Sequence, residues 1–432
     1  MKDNLTNNEL TTLVVHVVLP NDFEKKRQGR TPETQLEEAV GLAAAINLKV
    51  LESHIAKVYK MTAGYLIGEG ARNTIKQLIE DVSPQVVIVN ATLSPVQQRN
   101  LEKEWAVKVI DRTSLILEIF GARAQTREGK MQVELAALSY QRSRLVKSWT
   151  HLERQRGGTG STGGPGETQL ELDRRLIDDK IILLKDQLEH VRKNRDLQRK
   201  SRERAPFPVI AIVGYTNAGK STLFNVLTGA EVYAENLLFA TLDPTMRRMK
   251  LEGGRDVILS DTVGFISDLP THLVAAFRAT LEQVQYADVI LHVRDSSSPD
   301  TEAQRNDVIQ ILKDMNIEYA TDNRIIEVLN KIDQLPNDAI ETWRHAEYHG
   351  RQVMVSALNG VGLDKLKSAI EDVMAQSHTL RHITLSVQDG KALAWLHRHG
   401  SVINREDNGE NIILEVSMDE SEYQKFSSQF II

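Results

Sequence analysis

The chain has 432 residues, of which 41% are hydrophobic and 26% charged. That is the balance of a soluble globular protein with room for two to four domains. It has no cysteine, which excludes disulfides and thiolate metal sites and suits the cytoplasm. No window of ~18 uninterrupted apolar residues marks a membrane span, and the polar N-terminus MKDNLTNNELTT does not read as a signal peptide. The expected location is therefore cytoplasmic, with at most a peripheral membrane association.

Net charge is −6, unevenly spread. Arg142 to Arg204 contain sixteen Lys/Arg and ten Asp/Glu, so a basic stretch sits in an acidic chain. That pattern suits contact with a polyanion such as nucleic acid, or alternatively a solvated helix face.

Four segments are expected. Residues 1–127 alternate strand-like and helix-like pieces. TTLVVHVVLP is β-branched and ends at a proline. TPETQLEEAVGLAAAI reads as a helix opened by Thr31 and Pro32. KVLESHIAKVY is a second strand, a helix near Asn73 to Glu80 follows, and QVVIVN is a short buried strand. SPVQQRNLEKEW is another helix, and VKVID follows it. This order predicts a small open parallel sheet. The Gly68-Glu69-Gly70 triplet could approach a phosphate, but an ordinary turn is the stronger expectation.

Residues 128–205 carry two apolar seams. Met131, Leu135, Leu138, Leu145, Trp149 and Leu152 follow a 4-3 spacing, with Arg142 interrupting. Ile177, Ile181, Leu184, Leu188 and Val191 repeat it. Two helices joined by the glycine-rich stretch 157–166 should pack as an antiparallel hairpin, roughly 35–40 Å long at 1.5 Å per residue. The alternative is that both helices simply pack on a domain core.

Residues 206–376 again alternate strand and helix and hold the chemistry. Residues 377–432 read as strand, helix, strand, helix, a small α+β unit without a catalytic constellation. His397 and His399 are expected on a helix surface. The expected fold class is α/β.

The stretch PVIAIVGYTNAGKSTLFNVLTG is a buried strand, a glycine loop and a helix. Gly214, Tyr215, Thr216, Asn217, Ala218, Gly219, Lys220 and Ser221 satisfy G-x-x-x-x-G-K-S. The glycines let backbone N–H groups curl round phosphates. Lys220 reaches the β and γ phosphates, and the Ser221 hydroxyl suits Mg²⁺. Asn330, Lys331, Ile332 and Asp333 form N-K-x-D after a strand. A carboxylate there accepts two hydrogen bonds from guanine, which adenine cannot offer. Asn330 can tie this loop to the phosphate loop. Ser356, Ala357 and Leu358 can turn backbone N–H groups to the guanine oxygen. The ligands are thus GTP and GDP.

Two further pieces read the γ phosphate. In LSDTVGF, Asp261 can hold Mg²⁺ through water, Thr262 and Val263 follow, and the Gly264 N–H can face the γ phosphate. In LFATLDPT, comprising Phe239, Ala240, Thr241, Leu242 and Asp243, Thr241 is the expected second Mg²⁺ ligand, with Thr245 as runner-up. Lys220, Thr241 and Gly264 are the expected catalytic set. Losing the γ phosphate should release both loops, which makes a switch. Phe265 stands where many GTPases carry a water-orienting glutamine. Slow intrinsic hydrolysis that depends on a partner or another residue is expected; Arg247, Arg248 and Arg278 are candidate helpers, with basic surface roles the stronger expectation for each.

The motif order, with FATLDPT and DTVGFI, resembles the Obg–HflX group of translation-factor-related GTPases. RGGTGSTGGPGETQLELDRR closely resembles the signature of the HflX family, as do LSPVQQRNLE, VIDRTSLILEIF and EGKMQVELAALSY. The resemblance covers nearly the whole chain and is weakest in the last ~55 residues. It implies a GTPase, monomeric off the ribosome, that binds the large ribosomal subunit and its rRNA. It also implies splitting or rescue of stalled ribosomes under stress, with hydrolysis stimulated by the ribosome. In such relatives the arm reaches toward the peptidyl-transferase region. Gly157, Gly158, Gly163 and Gly164 would let the backbone approach RNA, and Arg154, Arg156, Arg174 and Arg175 would hold phosphates. The alternative is an RNA-modification or signalling GTPase whose hairpin binds a protein.

Overall fold

The computed structural model describes residues 10–20, 30–155, 165–202, 207–229, 239, 245–267, 283–336, 338, 340, 351–376 and 378–430. The first unit is a four-stranded, all-parallel sheet. Its strands are β1 (Thr11–Val18), β2 (Lys49–Lys57), β3 (Val86–Asn90) and β4 (Lys108–Asp111), in the order β2-β1-β3-β4. Parallel neighbours need crossovers, and helices supply them: α1 (Pro32–Ala44), α2 (Glu69–Val82) and α3 (Pro95–Trp105). Local chemistry sets their starts. Thr31 caps α1 and Ser94 caps α3, each in a reciprocal capping box with a proline at the first turn. Period-two alternation sends β1 side chains to both faces. Leu13, Val15 and Val17 enter one core with Ile75, Leu101 and Trp105. Val14 enters the other with Leu42, Ile116 and Phe120.

Two sequence expectations change here. Gly68 is the N-cap of α2, and Glu69 and Gly70 form its first turn, so that helix starts earlier than Asn73. A further helix, α4 (Arg112–Arg123), follows β4 directly. Its N-cap is Asp111, whose Oδ1 accepts the Ser114 N–H at 2.9 Å.

The arm consists of α5 (Arg127–Gln155) and α6 (Pro165–Arg202), of 29 and 38 residues. α6 takes in Pro165 and Gly166, which the sequence reading gave to the tip. On α6 the seam holds: Ile181 and Leu184 are buried, and Ile177, Leu188 and Val191 half-buried. On α5 the deeper face is Val133, Ala136 and Tyr140, which pack into the N-terminal core. The first half of α5 thus joins a domain core while Leu135 and Leu138 stay half-buried. Arg142 interrupts the seam because its Nε pairs with Asp178 of α6 at 2.6 Å. The side chains of Trp149 and Leu152 lie outside the described residues.

The second sheet orders β10-β9-β8-β5-β7-β6. Its strands are β5 (Val209–Gly214), β6 (Thr245–Lys250), β7 (Asp256–Asp261), β8 (Val289–Asp295), β9 (Ile325–Asn330) and β10 (Gln352–Met354). Only β6 runs antiparallel. Helices α7 (Lys220–Thr228), α8 (Thr301–Asp314) and α9 (Leu363–Gln376) flank it. All of β9 and nearly all of β8 is buried, as a central parallel strand requires. This is the P-loop GTPase fold in an α/β chain.

The last unit has three strands, not two: β11 (His378–Ser386), β12 (Ser401–Asp407) and β13 (Asn411–Asp419), ordered β11-β13-β12 and antiparallel. β12 was missed because SVINRED is polar and its side chains from Ile403 to Asp407 are all exposed. Helices α10 (Gly390–His399) and α11 (Glu420–Phe430) close one face, with Leu396 of α10 and Phe426 of α11 in one core with Leu414 and Val416. His397 is exposed, and His399 stacks on Trp395 with ring centroids 4.2 Å apart. Among the described residues, no helix is long and apolar enough to cross a membrane.

Candidate nucleotide-binding site

Strand β5 ends in Gly214, where a Cβ would lie 2.2 Å from the Val293 carbonyl oxygen. The loop Tyr215 to Gly219 then turns into α7. Gly219 has φ of +88°, and a Cβ there would meet Asn330 Nδ2 at 2.3 Å; only glycine fits. Asn217 is also left-handed, with φ of 60°. Lys220 opens α7 and is buried, its Nζ donating to the Tyr215 carbonyl at 2.7 Å. Burial pushes its proton affinity down to about 8, Asp261 opposes that, and Lys331 adds to it. A charged amine held at a helix N-terminus is set for a polyphosphate.

Ser221 Oγ donates to Asp261 Oδ2 at 2.8 Å, and Asp261 is fully buried at the end of β7. A hydroxyl and a carboxylate side by side beside a lysine form an oxygen donor set that fits a hard divalent cation such as Mg²⁺. Next in the chain, the Thr262 hydroxyl donates to the Ile212 carbonyl at 2.6 Å, and Val263 is buried. A Cβ on Gly264 would lie 2.9 Å from both Lys220 Nζ and Thr216 Cγ2. The Gly264 backbone therefore abuts the phosphate-loop lysine. The Phe265 side chain turns the other way, into the core formed by Val213, Val284 and Ile290.

Asn330 is buried and bonds on both sides. Its Nδ2 donates to the Ala218 carbonyl at 2.9 Å, and its Oδ1 accepts the Ala357 N–H at 3.0 Å. One side chain thus joins the phosphate loop to the Ser356–Leu358 turn. Lys331 is left-handed, with φ of 65°, and leads into the short 3₁₀ turn Ile332–Gln334. Ser356 Oγ donates to Asp333 Oδ1 at 2.5 Å. Leu358 is 76% exposed.

Other sequence candidates separate. Ala240, Thr241, Leu242, Asp243 and Arg278 lie outside the described residues, whereas Phe239 is buried against Phe120, edge to face at 4.7 Å. Thr245 sits in β6, in register with Asp261. Arg247 is exposed, and Arg248 pairs with Asp256 at 2.5 Å over the Phe207 ring. On the arm, Arg156, Gly157, Gly158, Gly163 and Gly164 lie outside the described residues, as does the side chain of Arg154. Arg174 and Arg175 are exposed, each near a carboxylate on the same helix: Asp178 at 3.9 Å and Glu171 at 2.7 Å.

Two groups of site residues escaped the sequence reading. Behind the base loop, Asp295 Oδ2 accepts Lys331 Nζ at 2.7 Å, and Ser296 Oγ donates to the Asn330 carbonyl at 2.5 Å. The second group comes from the N-terminal sheet. The Tyr215 hydroxyl donates to Glu38 of α1 and accepts the Ser267 N–H at 2.9 Å. Burial, then the Glu38 carboxylate, hold that phenol well above its usual range. Arg112 Nη2 donates to Glu38 Oε1 at 2.6 Å and to the Ser267 carbonyl at 3.1 Å. Arg112 Nη1 donates to Asn90 Oδ1 at 2.7 Å. Arg30 pairs with Asp307. Tyr215, Phe239, Val263 and Ile266 also join the N-terminal core. The phosphate loop and the segment after Asp261 thus pack directly on the N-terminal unit. No local motif announces such partners; only the fold brings them together.

Family models match this chain in four consecutive blocks. Residues 33–121 match the N-terminal part of a GTP-binding GTPase, and 123–202 match its middle region. Residues 209–331 match a model described as a 50S ribosome-binding GTPase, and 342–430 match the HflX C-terminal domain. The GTPase HflX of Magnetococcus marinus is 49% identical over 368 residues, 85% of this chain and 84% of that one. That of Caldanaerobacter subterraneus is 42% identical over 386 residues, 89% and 88% of the two chains. That of Escherichia coli is 39% identical over 404 residues, 90% and 91%.

Proposed function

This chain belongs to the HflX family of GTPases and is a GTP hydrolase, and on that premise we propose that it binds the large ribosomal subunit and splits or rescues stalled ribosomes under stress. The observation that carries the reading is one continuous set of contacts. Lys220 sits beside Gly264, Asp261 accepts from Ser221, and the segment running on to Ser267 packs on the same N-terminal unit that holds the base of the arm. Whatever reads the γ phosphate is therefore physically joined to what would enter the subunit. The match of residues 209–331 to a 50S ribosome-binding GTPase model supports the same partner.

In this reading residues 206–376 form the GTPase domain and 1–127 the unit that docks beside it. Residues 128–205 form the RNA-directed arm, and 377–432 a small accessory domain. Lys220 holds the β and γ phosphates. The Gly264 N–H faces the γ phosphate, and Asp333, steadied by Ser356, accepts guanine's N1–H and amine. Ser221, Asp261 through water, and Thr241 would hold Mg²⁺. When bound, the cation neutralises charge developing on the β and γ oxygens. Thr241 and Gly264 close over GTP and release after hydrolysis, which resets the arm. Arg154, Arg156, Arg174, Arg175 and the glycines between them meet rRNA.

The test is steady-state GTP hydrolysis by the purified protein, alone and with purified large subunits. The expected result is slow turnover alone and a strong increase with subunits. That increase should be lost when Gly157 to Gly166 are deleted. Brisk turnover with no response to subunits would overturn the ribosomal reading.

A further inference from the structure

We propose that Thr216 is a catalytic residue whose hydroxyl orients the attacking water against the γ phosphate of GTP. The inference rests on the nucleotide site at Gly214 to Ser221. The site needs such a group, because Phe265 occupies the water-orienting position and its ring is buried in the core on the far side. The Phe265 backbone does something else. Its N–H donates to the Gly214 carbonyl at 3.0 Å, and its carbonyl accepts the Thr216 N–H at 2.7 Å. This pair of bonds fastens Thr216 to the segment that reads the γ phosphate.

Thr216 is only 6% exposed, and its Oγ1 is buried with no hydrogen-bond partner among the described residues. Buried hydroxyls are nearly always bonded, so one left without a partner requires a reason. Packing alone would be served by valine, which has the same shape without the hydroxyl. Position supplies the reason. A Cβ on Gly264 would meet Thr216 Cγ2 and Lys220 Nζ, both at 2.9 Å. Thr216, Lys220 and Gly264 therefore converge on the small volume that the γ phosphate enters.

A threonine hydroxyl does not ionise at neutral pH, so it acts by holding water, not by removing its proton. Oγ1 accepts one hydrogen of the water while the water oxygen bonds to the γ phosphorus. The bond from that phosphorus to the β–γ bridging oxygen breaks, and its electron pair leaves on GDP. The proton from the water departs with the released phosphate. Orienting a nucleophile in this way contributes on the order of 10²-fold in rate.

The experiment compares wild type, Thr216→Val and Thr216→Ser. GTP affinity is measured by titration, and the chemical step by single-turnover hydrolysis with protein in excess. The expected result is GTP affinity within about threefold in all three, hydrolysis down roughly 10²-fold in the valine variant, and recovery to within about tenfold of wild type in serine. Equal rates in valine and wild type would overturn the proposal. So would a serine variant as slow as valine, which would point to packing. A loss confined to GTP affinity in valine would assign the hydroxyl to ground-state binding, again against the proposal. If wild type itself failed to bind GTP, the nucleotide site would be the error, and that failure is read separately.

Discussion

Nucleotide binding is expected to be coupled to protonation of Lys220. Burial lowers its proton affinity from the ordinary 10.5 to about 8. That difference corresponds to something on the order of 3 kcal/mol. The unfolded chain keeps this proton up to about pH 10.5, whereas the folded chain keeps it only to about pH 8. Between those values the unfolded state binds more protons, so stability rises with pH across that window, and below about pH 8 the full cost is present. Nucleotide reverses the local balance, because ionised phosphates favour the ammonium. Binding at about pH 8.5 should therefore take up roughly 0.75 of a proton, and at about pH 7 only about 0.1. Calorimetric titration of GDP in buffers of different ionisation enthalpy measures that uptake directly. Equal uptake at the two pH values would refute the reasoning and show that Lys220 already has a compensating partner.

Replacing Arg112 by methionine keeps much of the volume but leaves the Glu38 carboxylate facing the buried Tyr215 hydroxyl. The expected loss is about 3 kcal/mol in denaturant unfolding; a loss below about 1 kcal/mol would show that the pair contributes little. Asp333→Asn should weaken GTP by on the order of 10²-fold, because two charge-assisted hydrogen bonds to guanine are lost. Competition between GTP and the xanthine nucleotide measures this, and unchanged GTP preference would mean that Asp333 does not read the base.

Legibility followed how local each feature is. The phosphate loop could be read because one contiguous stretch of strand, glycines and helix makes it, and each residue type has its own local reason. The helix start at Thr31 and Pro32 was legible on the same grounds. β12 was not, since its exposed polar residues carry no period. The α5 seam was read half correctly: spacing found Met131 and Leu138, but spacing cannot tell which of two neighbours a helix faces. Val133, Ala136 and Tyr140 took the deeper positions because the N-terminal core lies on that side. The contacts of Glu38 and Arg112 with Tyr215 and Ser267 span up to 229 residues in the chain, and no motif encodes a pairing so distant.

Asp111 and Arg112 are consecutive residues with two different clients. Arg112 grips Ser267, three residues downstream of Gly264. Asp111 Oδ2 accepts the Tyr140 hydroxyl of the arm at 2.7 Å, and Arg144 lies 3.7 Å from the same oxygen. Burial, then Asp111, push the Tyr140 phenol up to about 12, so it stays a donor throughout the physiological range. A single peptide bond thus separates the grip on the GTPase from the hinge pin of the arm. From Tyr140, α5 runs on for roughly 22 Å to Gln155. A rock of about 10° at the pin would sweep that end through roughly 4 Å, about the spacing of stacked bases plus a fraction. The positions of Ser267 and of the far end of α5 are thus tied through two adjacent residues, Arg112 and Asp111.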